Sequence, residues 1–129
     1  MDSSLKRILC IDDDPDILSI IEFSLTEGGG YEVAICHSGQ EALTVVEGFQ
    51  PQLFLVDVMM PQMSGPETLD ALQSIPAFEN TQAIFLTANV QFAAYCEAAP
   101  PKMLGVLTKP FDPMQLSERL QALWSEYME

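Results

Sequence analysis

Two short apolar runs stop abruptly at carboxylates. ILCID, from Ile8 to Asp12, is followed at once by Asp13, and LFLVD runs from Leu53 to Asp57. Uninterrupted apolar runs of this length suit parallel strands covered on both faces, and such sheets hold their ligands beyond the carboxyl ends of the strands. Two later runs end in kind, AIFLT at Thr87 and GVLTK at Lys109. Four strand ends therefore bring three carboxylates, a hydroxyl and an amine toward one edge. That set suits a divalent cation and a phosphoryl group.

Helical patterns fill the gaps between strands. The first is expected from Pro15 to the glycines at 28 to 30, with Ile17, Ile20, Ile21 and Leu25 on one face. YEVAIC, Tyr31 to Cys36, reads as the second strand, and Glu41 to Gly48 as a short helix with Ala42, Val45 and Val46 inward. Ser64-Gly65-Pro66-Glu67 has the spacing of a capping box with proline in the first turn, and Leu69, Leu72 and Ile75 continue the helix it opens. Gln91 to Ala99 suits a further helix, ended by Pro100 and Pro101. Pro113 opens the last one, with Leu116, Leu120, Leu123 and Tyr127 as its buried stripe. Five strands and five helices in strict alternation, joined by right-handed crossovers, predict a flavodoxin-like (βα)5 fold. It is a doubly wound parallel five-stranded sheet in the order 2-1-3-4-5. Strand 1 then lies beside strand 3, placing Asp12 and Asp13 within reach of Asp57, since neighbouring strands lie about 4.8 Å apart.

The 129 residues are read as one domain over 1–129 with a core from about 6 to 127. A net charge of −14, from 19 acidic and 5 basic residues, argues against nucleic-acid binding, which needs clustered Lys and Arg. Cys10, Cys36 and Cys96 are odd in number and lack CxxC spacing, so neither zinc nor a disulfide framework is expected. Neither a signal peptide nor a membrane span is evident, since a span needs about 20 apolar residues, and a cytoplasmic setting is the expectation. Asp14, Pro15 and Asp16 cap and start a helix, and His37 is read as solvated. Met59, Met60 and Met63 serve either as core plugs or as a soft partner surface, and the sequence leaves both open.

ILCIDDDPD at 8–16, LFLVDVMMPQMSGPE at 53–67, FLTAN at 85–89 and LTKPFDP at 107–113 together resemble the receiver domains of two-component response regulators. The likeness covers the chain from Ile8 to about Tyr127. It implies that Asp57 accepts a phosphoryl group from a histidine kinase or phosphotransfer protein. It also implies that Asp13, Asp57 and the backbone carbonyl of Met59 ligate Mg²⁺, with Asp12 acting through water. Thr87 and Lys109 match the residues that bind the phosphoryl oxygens, and Lys109–Pro110 matches a position where the peptide bond is usually cis. Output would pass to a protein partner or attached effector domain, or through a phosphorylation-dependent dimer. One departure stands out: the aromatic residue that many receivers carry two positions into the last strand is Val106 here.

The residue types fit that chemistry. A carboxylate approaching a dianionic phosphoryl group meets charge repulsion, so a cation must first neutralise the oxygens. Mg²⁺ prefers oxygen ligands and is commonly held by one or two carboxylates plus the phosphate. Its two charges and that of Lys109 offset the three carboxylates. On this reading the chain is a switch that phosphorylates and dephosphorylates itself, not a turnover enzyme. The alternative is a haloacid-dehalogenase-like aspartyl-phosphate phosphohydrolase. Those enzymes carry a second acid two residues after the nucleophile, whereas Asp57 is followed by Val58 and Met59. A flavodoxin-like flavin carrier shares only the fold, and acids stand where its hydroxyl-rich phosphate loop would be.

Overall fold

A computed structural model describes residues 4–89, 91–92 and 103–128. Its elements in chain order are β1 (Arg7–Ile11), α1 (Pro15–Phe23), β2 (Glu32–Cys36), α2 (Gly39–Phe49), β3 (Leu53–Asp57), α3 (Gly65–Gln73), β4 (Gln82–Thr87), β5 (Gly105–Thr108) and α4 (Leu116–Met128). All the strand pairings are parallel, in the order β2-β1-β3-β4-β5. The flavodoxin-like order expected from the alternation is therefore the one observed. Ile11 pairs with Val56, so the residues that follow each, Asp12 and Asp57, emerge side by side.

Alternation along β3 splits the core into two layers. Leu53 and Leu55 join Ile8, Cys10, Ile84, Leu86 and Leu107 beneath α1 and α4, which contribute Leu18, Ile21, Leu116, Leu120 and Trp124. Phe54 and Val56 face the other way, with Leu9, Ile11, Ala83 and Phe85 beneath Ala42 and Val46 of α2 and Leu69 and Leu72 of α3. Each large apolar side chain buried in this way contributes about 1.5–3 kcal/mol. The central strand is buried at every position, and the carboxylate at its end is thereby fixed to a rigid layer.

Several expected boundaries shift, each for a local reason. The first helix is regular only to Phe23. Ser24–Gly28 then forms a wider π-helical turn in which Thr26 donates to the Glu22 carbonyl and the Ser24 hydroxyl donates to the carbonyl of Pro113. α2 starts at Gly39, two residues early, because the Ser38 hydroxyl accepts from the Glu41 N–H at 3.1 Å. α3 stops at Gln73, since Pro76 blocks continuation, and Ile75 instead leads into the short turn Pro76–Phe78. The buried Phe78 ring meets Phe54 edge-on at 6.4 Å.

Pro113 does not open the last helix. Asp112 first holds the N–H groups of Met114 and Gln115 in a turn, so α4 begins at Leu116. Steps of four residues then carry Leu116, Leu120 and Trp124 inward. Tyr127 remains 43% exposed against the Trp124 ring. Of the expected helix Gln91–Ala99, Gln91 and Phe92 are helical, and the remainder lies outside the described residues with Cys96, Pro100 and Pro101. The Lys109–Pro110 peptide bond is cis, as the resemblance implies. Among the described residues no helix is long and apolar enough to cross a membrane.

Candidate functional site

The carboxyl ends of β1, β3, β4 and β5 meet over one edge of the sheet. Asp12 and Asp57 are 1% and 5% exposed, while Asp13 is open to solvent. Carboxylate oxygens of all three lie within 4.8 Å of one another. Lys109 reaches between them: its Nζ donates to Asp12 Oδ2 at 2.9 Å and to Asp57 Oδ1 at 3.0 Å. The other oxygen of Asp12, Oδ1, accepts from the Asp14 N–H at 2.9 Å, and its own N–H donates to Cys36. Asp12 is thus oriented from two sides. Asp14 caps α1 through Asp16, the purely structural role its position suggested.

Electrostatics at Asp57 are a balance of opposed effects. Burial pushes its pKa up to about 6; the Lys109 hydrogen bond pulls the other way, and the neighbouring Asp12 adds to the rise. Burial alone would lower the pKa of Lys109, but hydrogen bonds to Asp12 and Asp57 outweigh it and hold the ammonium above its ordinary value. The lysine therefore stays charged while the carboxylate it serves is reluctant to ionise. Such a site lacks positive charge, and a divalent cation would supply it.

Thr87 is fully buried at the end of β4, and its hydroxyl accepts from the Asn89 N–H at 2.9 Å. The Lys109 N–H donates to the Thr87 carbonyl at 2.8 Å, so the hydroxyl and the amine sit on directly bonded strand ends. Met59 lies two residues beyond Asp57, the last residue of β3, and is 68% exposed. The structure thus brings Asp12, Asp13, Asp57 and Lys109 together around one point, with Thr87 on the adjacent strand end. His37, as expected, stays exposed, 3.6 Å from Glu41. Cys10 and Cys36 are buried, and burial raises both thiols well above their ordinary pKa, leaving them as unreactive core residues.

The sequence model of the response regulator receiver domain matches residues 8–121. The chain belongs to that family. Among its relatives, an uncharacterized 14.6 kDa protein of Leptolyngbya boryana is 35% identical over 88% of this chain and 86% of its own length. The DNA-binding response regulator MtrA of Mycolicibacterium smegmatis is 31% identical over 95% of this chain. That match covers 52% of MtrA, so the chain spans about half the length of this DNA-binding relative. Chemotaxis response regulator CheY4 of Vibrio cholerae superposes with a TM-score of 0.80 at 28% identity, over 93% of this chain and 99% of CheY4. A CheY-like receiver domain protein from Methanospirillum hungatei gives 0.77 at 30% identity, over 97% and 98% of the two chains. These relatives give no support to the phosphohydrolase alternative. A receiver is a signalling domain, not a classical enzyme.

Two further features shape this receiver's edge. The sequence places Gly65 in a helix cap, yet it also lies so close to β3 that a Cβ there would fall 2.4 Å from the Asp57 carbonyl oxygen. Asn89 closes the FLTAN segment at 85–89. Its side chain accepts from the N–H groups of Gln91 and Phe92, tying the Thr87 strand end to the segment that follows. The signal available in sequence was the short interval from Asp57 to Ser64-Gly65, which leaves a loop with little slack.

Proposed function

We propose that this receiver accepts a phosphoryl group on Asp57 from a histidine kinase or phosphotransfer protein. The observation that carries the reading is the buried Asp57 carboxylate, held at Oδ1 by Lys109 within reach of Asp12 and Asp13. Oxygen ligands of mixed exposure at one sheet edge fit Mg²⁺, which would be held by Asp13, Asp57 and the Met59 carbonyl, with Asp12 through water. When bound, the ion supplies charge neutralisation for the phosphoryl oxygens. An Asp57 carboxylate oxygen forms the new bond to phosphorus, and the donor's imidazole leaves. Lys109 exchanges its bond to Asp57 for one to a phosphoryl oxygen, and the Thr87 hydroxyl, which accepts from the Asn89 N–H, turns to donate to another and gives up that contact.

The setting is cytoplasmic, the unit is one receiver domain over 1–129, and output passes to a protein partner or attached effector domain, including a phosphorylation-dependent dimer. Its direct target is not nucleic acid or membrane, given the charge of −14. Release of the Asn89 N–H would reach Phe92, whose ring meets Phe85 at 5.8 Å. Phe85 pairs in register with Val106. A valine has no ring to swing, so the change is carried by packing between these side chains.

The test is direct. Acetyl phosphate with Mg²⁺ should add a single base-labile phosphoryl group, detected by intact mass and mapped to Asp57 by peptide analysis, and EDTA should abolish it. A phosphoryl group mapped elsewhere, or uptake undiminished in EDTA, would overturn the assignment. Mg²⁺ should also raise the melting temperature by mass action. At one hundred times its Kd the gain is about 2.7 kcal/mol, which amounts to several degrees for a domain of this size. A melting temperature that ignores saturating Mg²⁺ would show that the three acids do not need a cation.

A further inference from the structure

We propose that Gly39, Met63 and Thr68 form a clasp that positions the loop after Asp57, so that the start of α2 sets the receiver's affinity for Mg²⁺. This rests on the reading that the Met59 carbonyl is a ligand. The loop from Val58 to Ser64 is pinned at both ends by backbone hydrogen bonds, Val58 N–H to Leu86 at 3.0 Å and Gly65 N–H to Val58 at 2.9 Å. Between those pins Gln62 has a φ of 69°, and the Met63 N–H turns back to Pro61 at 2.7 Å. A turn of that kind does not by itself fix where the Met59 carbonyl points.

Side-chain contact supplies the missing restraint. Gly39, the first residue of α2, is buried, and a Cβ on it would lie 2.5 Å from Met63 Sδ and 2.3 Å from Thr68 Oγ1. Met63 therefore seats in a notch that exists only because residue 39 has no side chain. Thr68, on the first turns of α3, is fully buried, and its hydroxyl has no hydrogen-bond partner among the described residues. Its place is set by packing against α2. Met63 and Thr68 thus hold Gly39 jointly, and of the two Met63 is the one that can yield, since its chain is long and flexible and belongs to the loop. Filling the notch pushes Met63 out and moves the loop that carries the Met59 carbonyl.

Isothermal titration of Mg²⁺ into the wild type, Gly39→Ala, Met63→Ala, Met63→Leu and the Gly39→Ala/Met63→Ala double variant tests this, with urea unfolding of each metal-free protein alongside. Gly39→Ala should weaken Mg²⁺ binding by about tenfold, the lower end for changes in groups that orient a metal's ligands. Met63→Ala should weaken it too, Met63→Leu should restore most of it, and Gly39→Ala should cost less once Met63 is gone, the contact with Thr68 alone remaining. Lower stability with unchanged Mg²⁺ affinity in Gly39→Ala, or strictly additive effects in the double variant, would overturn the clasp and leave the phosphoacceptor reading standing. Should Gly39→Ala fail to fold, equal affinities in the wild type and Met63→Ala would overturn it in the same way. Absence of Mg²⁺ binding by the wild type would overturn both.

Discussion

Asp57→Asn should take up no phosphoryl group from acetyl phosphate in Mg²⁺, and the metal-free variant should be more stable than the parent at neutral pH. The first effect follows because an amide oxygen does not attack phosphorus as a carboxylate does. The second follows from burial. In the folded, metal-free protein the Asp57 pKa is raised from 3.8 to about 6, so the native state holds this proton more tightly than the unfolded chain does. The resulting stabilisation is complete below the unfolded value and is lost as pH rises through about 6. Two pKa units correspond to about 3 kcal/mol, an upper limit for the gain in Asp57→Asn at pH 7.5. Urea unfolding of both proteins at pH 4 and pH 7.5, without metal, checks the sign. Equal stability of the two at pH 7.5 would mean that ionised Asp57 carries no burden, and phosphate retained at full stoichiometry in the variant would assign the acceptor elsewhere.

Mg²⁺ should reverse that ordering. The divalent ion favours the ionised carboxylate, so the parent gains stability from it while the variant, with one carboxylate fewer, gains less. Activity and stability are thus opposed at one residue. A carboxylate that is uncomfortable without its cation is also one kept away from water, and β3 holds it there because every residue from Leu53 to Val56 is fully packed.

What could be read in advance was whatever lies within a few residues of itself. The apolar runs of β1, β3, β4 and β5 and the polar residues that end them define both the sheet and the chemistry of its edge, because a buried parallel strand needs an unbroken apolar stretch. Strand order followed from alternation and handedness. The errors lay where a local pattern admits two answers or where distant parts of the chain compete. Four-residue steps from Leu116 bring Trp124 inward and leave Tyr127 half exposed on the same helix. The first helix widens at Ser24 where its hydroxyl meets Pro113, 89 residues away. Met59, Met60 and Met63 could not be told apart by sequence, yet they have three different fates: exposed beside the site, packed on the α2 and α3 layer, and seated against Gly39.

Gly65→Ala should cost more than any other single methyl group placed at this edge. The added Cβ would lie 2.4 Å from the Asp57 carbonyl oxygen, 2.9 Å from Val58 Cα and 3.1 Å from the Asp57 carbonyl carbon. All three are backbone atoms, so none can swing aside as a long side chain would. Either α3 retreats, breaking the 2.9 Å bond from Gly65 N–H to Val58 and straining the Ser64–Glu67 capping box, or the end of β3 shifts and takes Asp57 with it. Overpacking typically costs 1–3 kcal/mol, and backbone on every side places this case at about 3 kcal/mol. That corresponds to a fall of roughly 10 °C in melting temperature, with a slower phosphorylation rate as the acceptor moves. Gly48→Ala is the control, since Gly48 is exposed within α2 with nothing within 4 Å of its Cβ position. There the same substitution should stabilise by about 0.5–1 kcal/mol, because glycine is the poorer helix residue. A Gly65→Ala protein that melts and labels like the parent would show that α3 stands free of Asp57. A large loss at Gly65 beside a gain at Gly48 would place the sensitivity where the first turn of α3 presses on the end of β3.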